Sequence, residues 1–147
     1  MELRDHQVKA IEMIRESFKQ GNRRVMLAAC CSFGKTITAA YMMKCAAESR
    51  RVIFLADRVK LVEQTMDAFE AMGLDFGVIQ ADHWRTDPRK QIQIASIQTI
   101  ARRRRPPEFD FAIVDEAHTP WKTVTELMDR YSKTQFVGLS ALPYLKG

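Results

Sequence analysis

The stretch that decides the fold lies at residues 24–36. It reads Arg24-Val25-Met26-Leu27-Ala28-Ala29-Cys30-Cys31-Ser32-Phe33-Gly34-Lys35-Thr36. The run at 24–29 predicts a β-strand, and the Ala-rich, apolar segment at 35–48 predicts a helix. A tight turn between a strand and a helix aims backbone N–H groups and the positive end of the helix dipole at one point. This stretch therefore predicts an anion-binding turn at the head of a helix.

The residues that begin the helix indicate which anion is bound. Gly34, Lys35 and Thr36 complete the pattern G-x-x-x-x-G-K-[ST], in which the lysine reaches the β- and γ-phosphates and the threonine hydroxyl binds Mg²⁺. Ala29 stands where the pattern has its first glycine, so a chance Gly-Lys-Thr in an ordinary loop is the alternative interpretation. We predict ATP and Mg²⁺ as ligands. The predicted contacts come from Cys31, Ser32, Phe33, Gly34, Lys35 and Thr36.

A second polar motif, Asp115-Glu116-Ala117-His118, follows the apolar run at 111–114. A carboxylate at the end of a buried strand is costly unless it faces a site. In a nucleotide hydrolase, Asp115 at this place would hold Mg²⁺ and Glu116 would deprotonate the attacking water. We predict these roles, and we count His118 and Lys35 with them as candidate catalytic residues. The alternative is a polar strand end that begins a loop.

The rest of the chain alternates short β-rich runs with helix-period segments. Further strands are predicted at 52–56, 77–79, 92–95, 111–114 and 136–139, and further helices at 5–20, 60–72 and 123–131. Gly21 and Gly73 are placed to end two of these helices. The buried face of the first helix is predicted to carry Val8, Ile11, Met13, Ile14 and Phe18. The alternation predicts an α/β domain with a mostly parallel central sheet flanked by helices.

Length and composition limit the class of protein. The chain has 147 residues, 46% of them hydrophobic and 28% charged, which is typical of one globular domain. Its apolar runs are too short to cross a bilayer, and its three cysteines form no disulfide framework. We therefore expect a cytoplasmic protein without a membrane partner. The net charge of +5 fits a polyanionic partner, although a basic surface can equally serve solubility.

Taken in order, the Gly-Lys-Thr turn and the Asp-Glu-Ala-His run resemble the first RecA-like domain of superfamily 2 helicases, with a DEAH-type motif II. The resemblance covers essentially the whole chain. It is nearest to the DNA-acting branch, which holds repair helicases and restriction-enzyme motor subunits. It implies a three-layer P-loop NTPase fold, hydrolysis of ATP to ADP and phosphate, and a DNA partner, with RNA left open. It also implies that the strand at 136–139 lies between the strand at 24–29 and the strand that ends before Asp115.

The resemblance assigns further site residues. Leu3-Arg4-Asp5-His6-Gln7 is similar to the family's adenine-recognition element, so Arg4 and Gln7 are candidate cofactor contacts. Residues 52–64 look like motif Ia and 95–99 like motif Ib, whose loops hold nucleic-acid phosphates. The candidates there are Arg58, Gln98 and Thr99. Residues 138–143 look like motif III, so Ser140 and Ala141 are expected to couple hydrolysis to strand movement.

The densest positive run is Arg102-Arg103-Arg104-Arg105-Pro106-Pro107. Because prolines stop a helix, we predict an extended, exposed segment here. Arg102 and Arg103 are candidate phosphate contacts, and a solvated loop is the equal alternative. Residues 81–90 are polar and predict an exposed loop. Trp84 and Trp121 could stack on bases, but a core or loop-anchoring role is favoured for both.

Two departures from the family's pattern keep a second hypothesis open. Ser32 stands where the family usually has glycine, and Leu142 stands where motif III has a threonine hydroxyl. These favour a degenerate, non-catalytic nucleic-acid-binding or regulatory module. A simple P-loop kinase would explain the first motif but not the second. Residues 1–147 are expected to form one first RecA-like domain that lacks its second domain and hydrolyses ATP very slowly alone.

Overall fold

The computed structural model describes residues 3–28, 34–57, 59–80, 83–103, 108–116 and 122–140. The elements in chain order are α1 (Asp5–Lys19), β1 (Arg24–Ala28), α2 (Lys35–Ala46), β2 (Val52–Ala56), α3 (Val59–Ala71), β3 (Phe76–Ile79), β4 (Ile92–Ser96), α4 (Ile97–Arg102), β5 (Phe111–Val114), α5 (Lys122–Arg130) and β6 (Gln135–Ser140). Every strand and helix predicted from the sequence is confirmed to within two residues at each end. Helix α4 is the one element that was not predicted.

The strands form one parallel sheet with the order β1-β6-β5-β2-β4-β3. This confirms the predicted α/β class, and it confirms that β6 lies between the strand before Gly34 and the strand before Asp115. In register, Ala28 pairs with Ser140 and Val114 pairs with Gly138. Because all the strands run the same way, their carboxyl ends meet at one edge of the sheet, where open α/β sheets bind ligands.

The centre of the sheet is covered on both faces. In β2, Val52 and Phe54 point into the core cluster under α1, α2 and α3, whereas Ile53 and Leu55 belong to the cluster under α4 and α5. A strand that is buried on both sides has no solvent face, which explains why β2 carries no polar side chain.

The predicted buried face of α1 is wrong at two positions. Val8 and Met13 are 39% and 73% exposed, whereas Gln7, Ala10, Ile11 and Ile14 are buried. These four lie three and four residues apart, which is the spacing of one helical stripe. Val8 and Met13 fall off that stripe, so their apolar character does not bring them into the core.

Helix α4 corrects the expectation that motif Ib leads into a loop and that Arg102 begins an extended segment. Ser96 caps the helix, with its side-chain oxygen accepting from the N–H of Thr99 at 3.5 Å. Ile97 and Ile100 are buried against the sheet, which supplies the packing that so short a helix needs. Arg102 ends the helix and Arg103 is extended. Residues 104–107 lie outside the described part of the chain.

The expectation for Trp84 is also wrong. Its side chain is neither core nor anchor, since it is 80% exposed. Trp121 lies outside the described residues. Within the described ranges, no helix combines the length and the apolar character that a bilayer span requires.

Candidate nucleotide and nucleic-acid site

Helix α2 begins at a glycine in the left-handed conformation. Gly34 has φ 78° and ψ 49° and is the residue that caps the helix. Its carbonyl oxygen accepts from both the backbone N–H and the hydroxyl of Thr38, each at 3.0 Å. Lys35 is half-buried and Thr36 is exposed in the first turn, where the first N–H groups of a helix have no partner within it. The described part of this segment is thus a helix N-terminus that begins at Gly34; residues 29–33 lie outside the described part of the chain.

The N-terminal element lies against this turn. Gln7 is only 2% exposed, and its Nε2 donates to the carbonyl of Gly34 at 3.3 Å. Its Oε1 accepts from the backbone N–H of Arg4 at 2.8 Å. A Cβ on Gly34 would come within 2.5 Å of Gln7 Nε2 and 3.2 Å of an Arg4 guanidinium nitrogen. The structure therefore brings Arg4, Gln7 and Gly34 together across 27 positions of sequence.

The acidic pair lies at the same edge of the sheet. Asp115 and Glu116 follow β5, and both are half-buried. The backbone N–H of Asp115 donates to Leu55 O at 2.9 Å, and Asp115 Oδ1 accepts from the N–H of Glu116 at 3.0 Å. Glu116 has a φ of 53°, which is strained for a residue with a side chain. Strain of this kind is found at functional sites that the surrounding structure holds in place.

In the sheet, β6 lies between β1, which precedes the Gly34 turn, and β5, which precedes Asp115. Strands lie about 4.8 Å apart, so the ends of β1 and β5 are about 10 Å apart. Ser140, at the end of β6, is 4% exposed and lies between them. The strand order therefore places the residues that follow β1 and β5 at one edge of the sheet, separated by a single strand.

The donors at this edge suit Mg²⁺. Mg²⁺ in nucleotide sites takes one or two carboxylates, a hydroxyl, water and substrate phosphates rather than an all-protein cage. Thr36 and Asp115 offer a hydroxyl and a carboxylate. Among the residues that the structure describes, no three His, Cys, Asp or Glu side chains are grouped as a self-sufficient metal site. The residues present therefore fit a metal that arrives with its nucleotide.

The predicted nucleic-acid contacts lie beside this site, after β4. Gln98 is exposed in the first turn of α4; its Nε2 donates to Asp57 Oδ1, and its Oε1 accepts from the Ser96 hydroxyl at 2.9 Å. The bond to Asp57 joins the residue that follows β2 to the first turn of α4. Thr99 is half-buried in the same turn. Sequence reasoning missed Asp57, although an acid directly after a buried strand was the signal used for Asp115.

Several predicted site residues are not brought together by the described part of the chain. Arg102 is exposed at the far end of α4, about 6 Å along the helix from Gln98, and Arg103 is exposed just beyond the helix. The predictions for Cys31, Ser32, Phe33, Arg58, His118 and Ala141 fall outside the described residues.

Comparison with known proteins identifies the family. Residues 1–145 match the family model described as "Type III restriction enzyme, res subunit". The chain belongs to this family. The res-family domain is 30% identical over 161 aligned positions to the type I restriction enzyme EcoAI endonuclease subunit of Escherichia coli, covering 95% of the chain and 19% of that protein. It is 29% identical over 134 positions to the EcoKI endonuclease subunit of E. coli K12, covering 79% of the chain and 11% of that protein.

Solved structures agree on the fold. The res-family domain aligns over 99% of its length with 18% of a structure of the type ISP restriction-modification enzyme LlaGI in complex with a DNA substrate mimic, at 18% identity and a TM-score of 0.73. It aligns over 97% of its length with 32% of the Sulfolobus solfataricus SWI2/SNF2 ATPase core in complex with dsDNA, at 20% identity and a TM-score of 0.69. The predicted resemblance to the first RecA-like domain of superfamily 2 helicases is confirmed. The chain spans about a fifth or less of the curated relatives it matches.

Proposed function

We propose that this domain binds ATP with Mg²⁺ at the turn before α2 and forms the hydrolytic half of a DNA helicase or translocase. The observation that supports the proposal best is the contact of Gln7 with Gly34, because it joins two elements that the resemblance assigns to one nucleotide, the adenine-recognition glutamine and the turn before α2. The strand order supports the same site from its other side, since it brings Asp115 and Glu116 to the same edge.

Each residue of the site has a distinct task. Bound ATP with Mg²⁺ supplies the phosphoanhydride that is cleaved to ADP and phosphate. Lys35 would place a positive charge beside the β- and γ-phosphates, and Thr36 and Asp115 would hold the metal. Glu116 accepts a proton from the attacking water. Gln7, together with Arg4, positions the base.

The proposal for DNA rests on the surface next to the nucleotide site. The Gln98–Asp57 bond makes one continuous edge from the residue after β2 and the first turn of α4. Arg102 and Arg103 extend that edge with exposed positive charge. One strand would lie along this edge, with Ser140 and Ala141 linking its movement to hydrolysis. DNA is preferred because the structural neighbours above are DNA complexes.

Full activity is proposed to need a second RecA-like domain. An arginine from such a domain can raise the hydrolysis rate by roughly 10³- to 10⁵-fold in related enzymes. This domain alone is therefore expected to bind ATP weakly and hydrolyse it slowly. Strong DNA-stimulated hydrolysis by residues 1–147 would contradict this part of the proposal.

Titration with a fluorescent ATP analogue tests the nucleotide site. Lys35→Ala is expected to weaken binding at least tenfold. Lys44→Ala, an exposed lysine in the last turn of the same helix, is the matched control and should bind as the wild type does. Equal binding of the ATP analogue by Lys35→Ala and wild type would show that the turn before α2 is not a nucleotide site. Normal binding with no hydrolysis, even when a second domain is supplied, would favour the non-catalytic module instead.

Salt dependence tests the nucleic-acid edge. For a single strand, each lost phosphate contact lowers the slope of log K against log salt by about 0.7. Arg102→Ala with Arg103→Ala should therefore reduce the slope by about 1.4, whereas Lys133→Ala, an exposed charge in the turn before β6, should leave it unchanged. Comparing DNA with RNA of the same sequence decides between the two polymers.

A further inference from the structure

The loop between β3 and β4 is tightly held along the free edge of the sheet. Arg85 O accepts from the N–H of Val78 at 3.1 Å, so the loop extends the hydrogen bonding of the edge strand. Gln93 Nε2 donates to the carbonyls of Asp87 and Lys90, both at 2.9 Å. The described part of this loop, residues 83–90, is therefore an ordered surface.

The loop is anchored by His83 and Arg85 and not by Trp84. His83 contacts Glu63 at 3.3 Å, and Arg85 contacts Glu70 at 3.5 Å, both on α3. The Arg85 guanidinium also lies over the Phe76 ring, 3.9 Å from its centroid. Trp84, which lies between these two anchors in sequence, is 80% exposed. The loop holds its largest apolar side chain in solvent while its neighbours carry the packing.

The Trp84 indole is nevertheless held in a defined orientation. The His83 ring stacks on it, with centroids 5.5 Å apart and planes inclined by 26°. The Arg85 guanidinium lies 5.8 Å from the centroid of the indole ring. An aromatic ring that contacts its neighbours and is still 80% exposed leaves a flat surface on which another planar group can stack.

The position of this ring relates it to the proposed nucleic-acid edge. Ile79 pairs with Ala95, and the N–H of His83 donates to Gln80 O at 2.9 Å, so the loop turns at the carboxyl end of β3. Strand β4 is the next strand, about 4.8 Å away, and leads directly into Gln98. Trp84 therefore follows the carboxyl end of β3, at the edge of the sheet to which β2 and β4 bring Asp57 and Gln98.

We propose that Trp84 is a stacking platform for an unpaired base of the strand bound at this edge. The inference rests on the proposed nucleic-acid function and adds a specific contact to it. Stacking on an exposed aromatic ring is the usual way in which proteins hold single strands without reading their sequence. The Asp57–Gln98 edge would hold the backbone, and Trp84 would hold a base beyond it.

The charges of the loop favour a base over a phosphate as the group bound here. Its cations have acidic partners: Arg85 with Glu70, Arg89 with Asp87 at 3.2 Å, and Lys90 with Asp75 at 2.8 Å. The side-chain hydrogen bond from Arg89 holds the pKa of Asp87 below its usual range, so that carboxylate stays ionised. Because the positive charges of the loop are already paired, the loop attracts a phosphate only weakly. The exposed Trp84 ring is still accessible to a base.

The test is binding of a single-stranded oligodeoxynucleotide, measured by fluorescence anisotropy at several salt concentrations. Trp84→Ala is expected to weaken binding roughly 5- to 150-fold, and Trp84→Phe should retain most of the affinity. Because stacking releases no counterions, the slope of log K against log salt should stay as in the wild type. An oligonucleotide with abasic sites should bind wild type and Trp84→Ala alike.

The controls separate this inference from the function on which it rests. Failure of the wild-type domain to bind any single strand would overturn both. Binding by the wild type with equal binding by Trp84→Ala would overturn the platform alone and point to a protein partner for this ring. A loss of affinity that persists on abasic strands would also overturn it. Trp84→Ala should unfold in urea at nearly the wild-type concentration, since the ring is 80% exposed and the loop is anchored through His83 and Arg85.

Discussion

The side-chain amide of Gln7 lies against the backbone of Gly34, with Nε2 donating to the glycine carbonyl at 3.3 Å. The contact links the start of the chain to the turn that begins α2. It also explains why this position must be glycine, because a Cβ would come within 2.5 Å of the amide nitrogen. One residue thus satisfies a backbone requirement, a positive φ, and a packing requirement, a close approach.

Gly34→Ala should destabilise the fold more than Gly73→Ala does. Gly73 has a similar φ, 73°, but a Cβ there would meet nothing within 4 Å. Gly73→Ala is expected to lower the free energy of unfolding by about 1–2 kcal/mol, from the positive φ alone. Gly34→Ala should lower the free energy of unfolding by about 1–3 kcal/mol more than that, because the added carbon crowds Gln7. Urea unfolding measures both variants. Adding Gln7→Ala to Gly34→Ala should recover part of the difference, and equal losses in the two single variants would contradict the contact.

Two replacements of Glu116 should show separately how this residue affects stability and how it affects ATP hydrolysis. At a φ of 53° a side chain is unfavourable, so Glu116→Gly should be more stable than Glu116→Gln by about 0.5–1 kcal/mol. Both variants should still bind an ATP analogue, and neither should hydrolyse ATP when a second domain is present. Thermal or urea unfolding gives the stability order. If Glu116→Gly proved the less stable of the two, the strained backbone would be absent in solution.

Gly77→Ala should release the loop that covers β3. A Cβ on Gly77 would clash with the carbonyl oxygen of Asp87 and approach the Gln93 amide to 2.9–3.0 Å. We expect a loss of about 1–3 kcal/mol and faster hydrogen exchange at the N–H of Val78, which donates to this loop. The N–H of Asp115, which bonds to Leu55 elsewhere in the sheet, is the internal control. Unchanged exchange at Val78 would show that the loop does not hold this amide.

A charge placed on Gln98 should disrupt the proposed nucleic-acid edge. Gln98→Glu sets a second carboxylate beside Asp57, where the wild type has a hydrogen bond. We expect single-strand binding to weaken roughly tenfold, about 1.4 kcal/mol, through repulsion of the neighbouring carboxylate and of phosphates. Asp57→Asn in the same chain should restore most of the affinity. If the double variant bound the single strand as weakly as Gln98→Glu alone, Asp57 and Gln98 would act independently.

Local patterns predicted most of the elements because they depend on neighbours in the chain. Alternating β-rich and helix-period segments, with Gly21 and Gly73 at helix ends, predicted the elements that are observed. Helix α4 was missed because its six residues carry a short apolar repeat beside a basic run that resembled a loop. It is stabilised by packing against the sheet through Ile97 and Ile100, together with the Ser96 cap. Trp84 was misjudged because composition predicts burial on average, whereas His83 and Arg85 occupy the anchoring places.

The sequence by itself determined the order of elements, the turn at Gly34-Lys35-Thr36 and the acidic strand end, since each is a property of a few consecutive residues. Resemblance to a family added the position of β6. Only the tertiary structure decided that Gln7 lies against Gly34, that Gln98 bonds to Asp57, and that Trp84 faces solvent. These relationships join residues far apart in the chain, and they depend on how helices and loops pack on the finished sheet, which no local periodicity encodes.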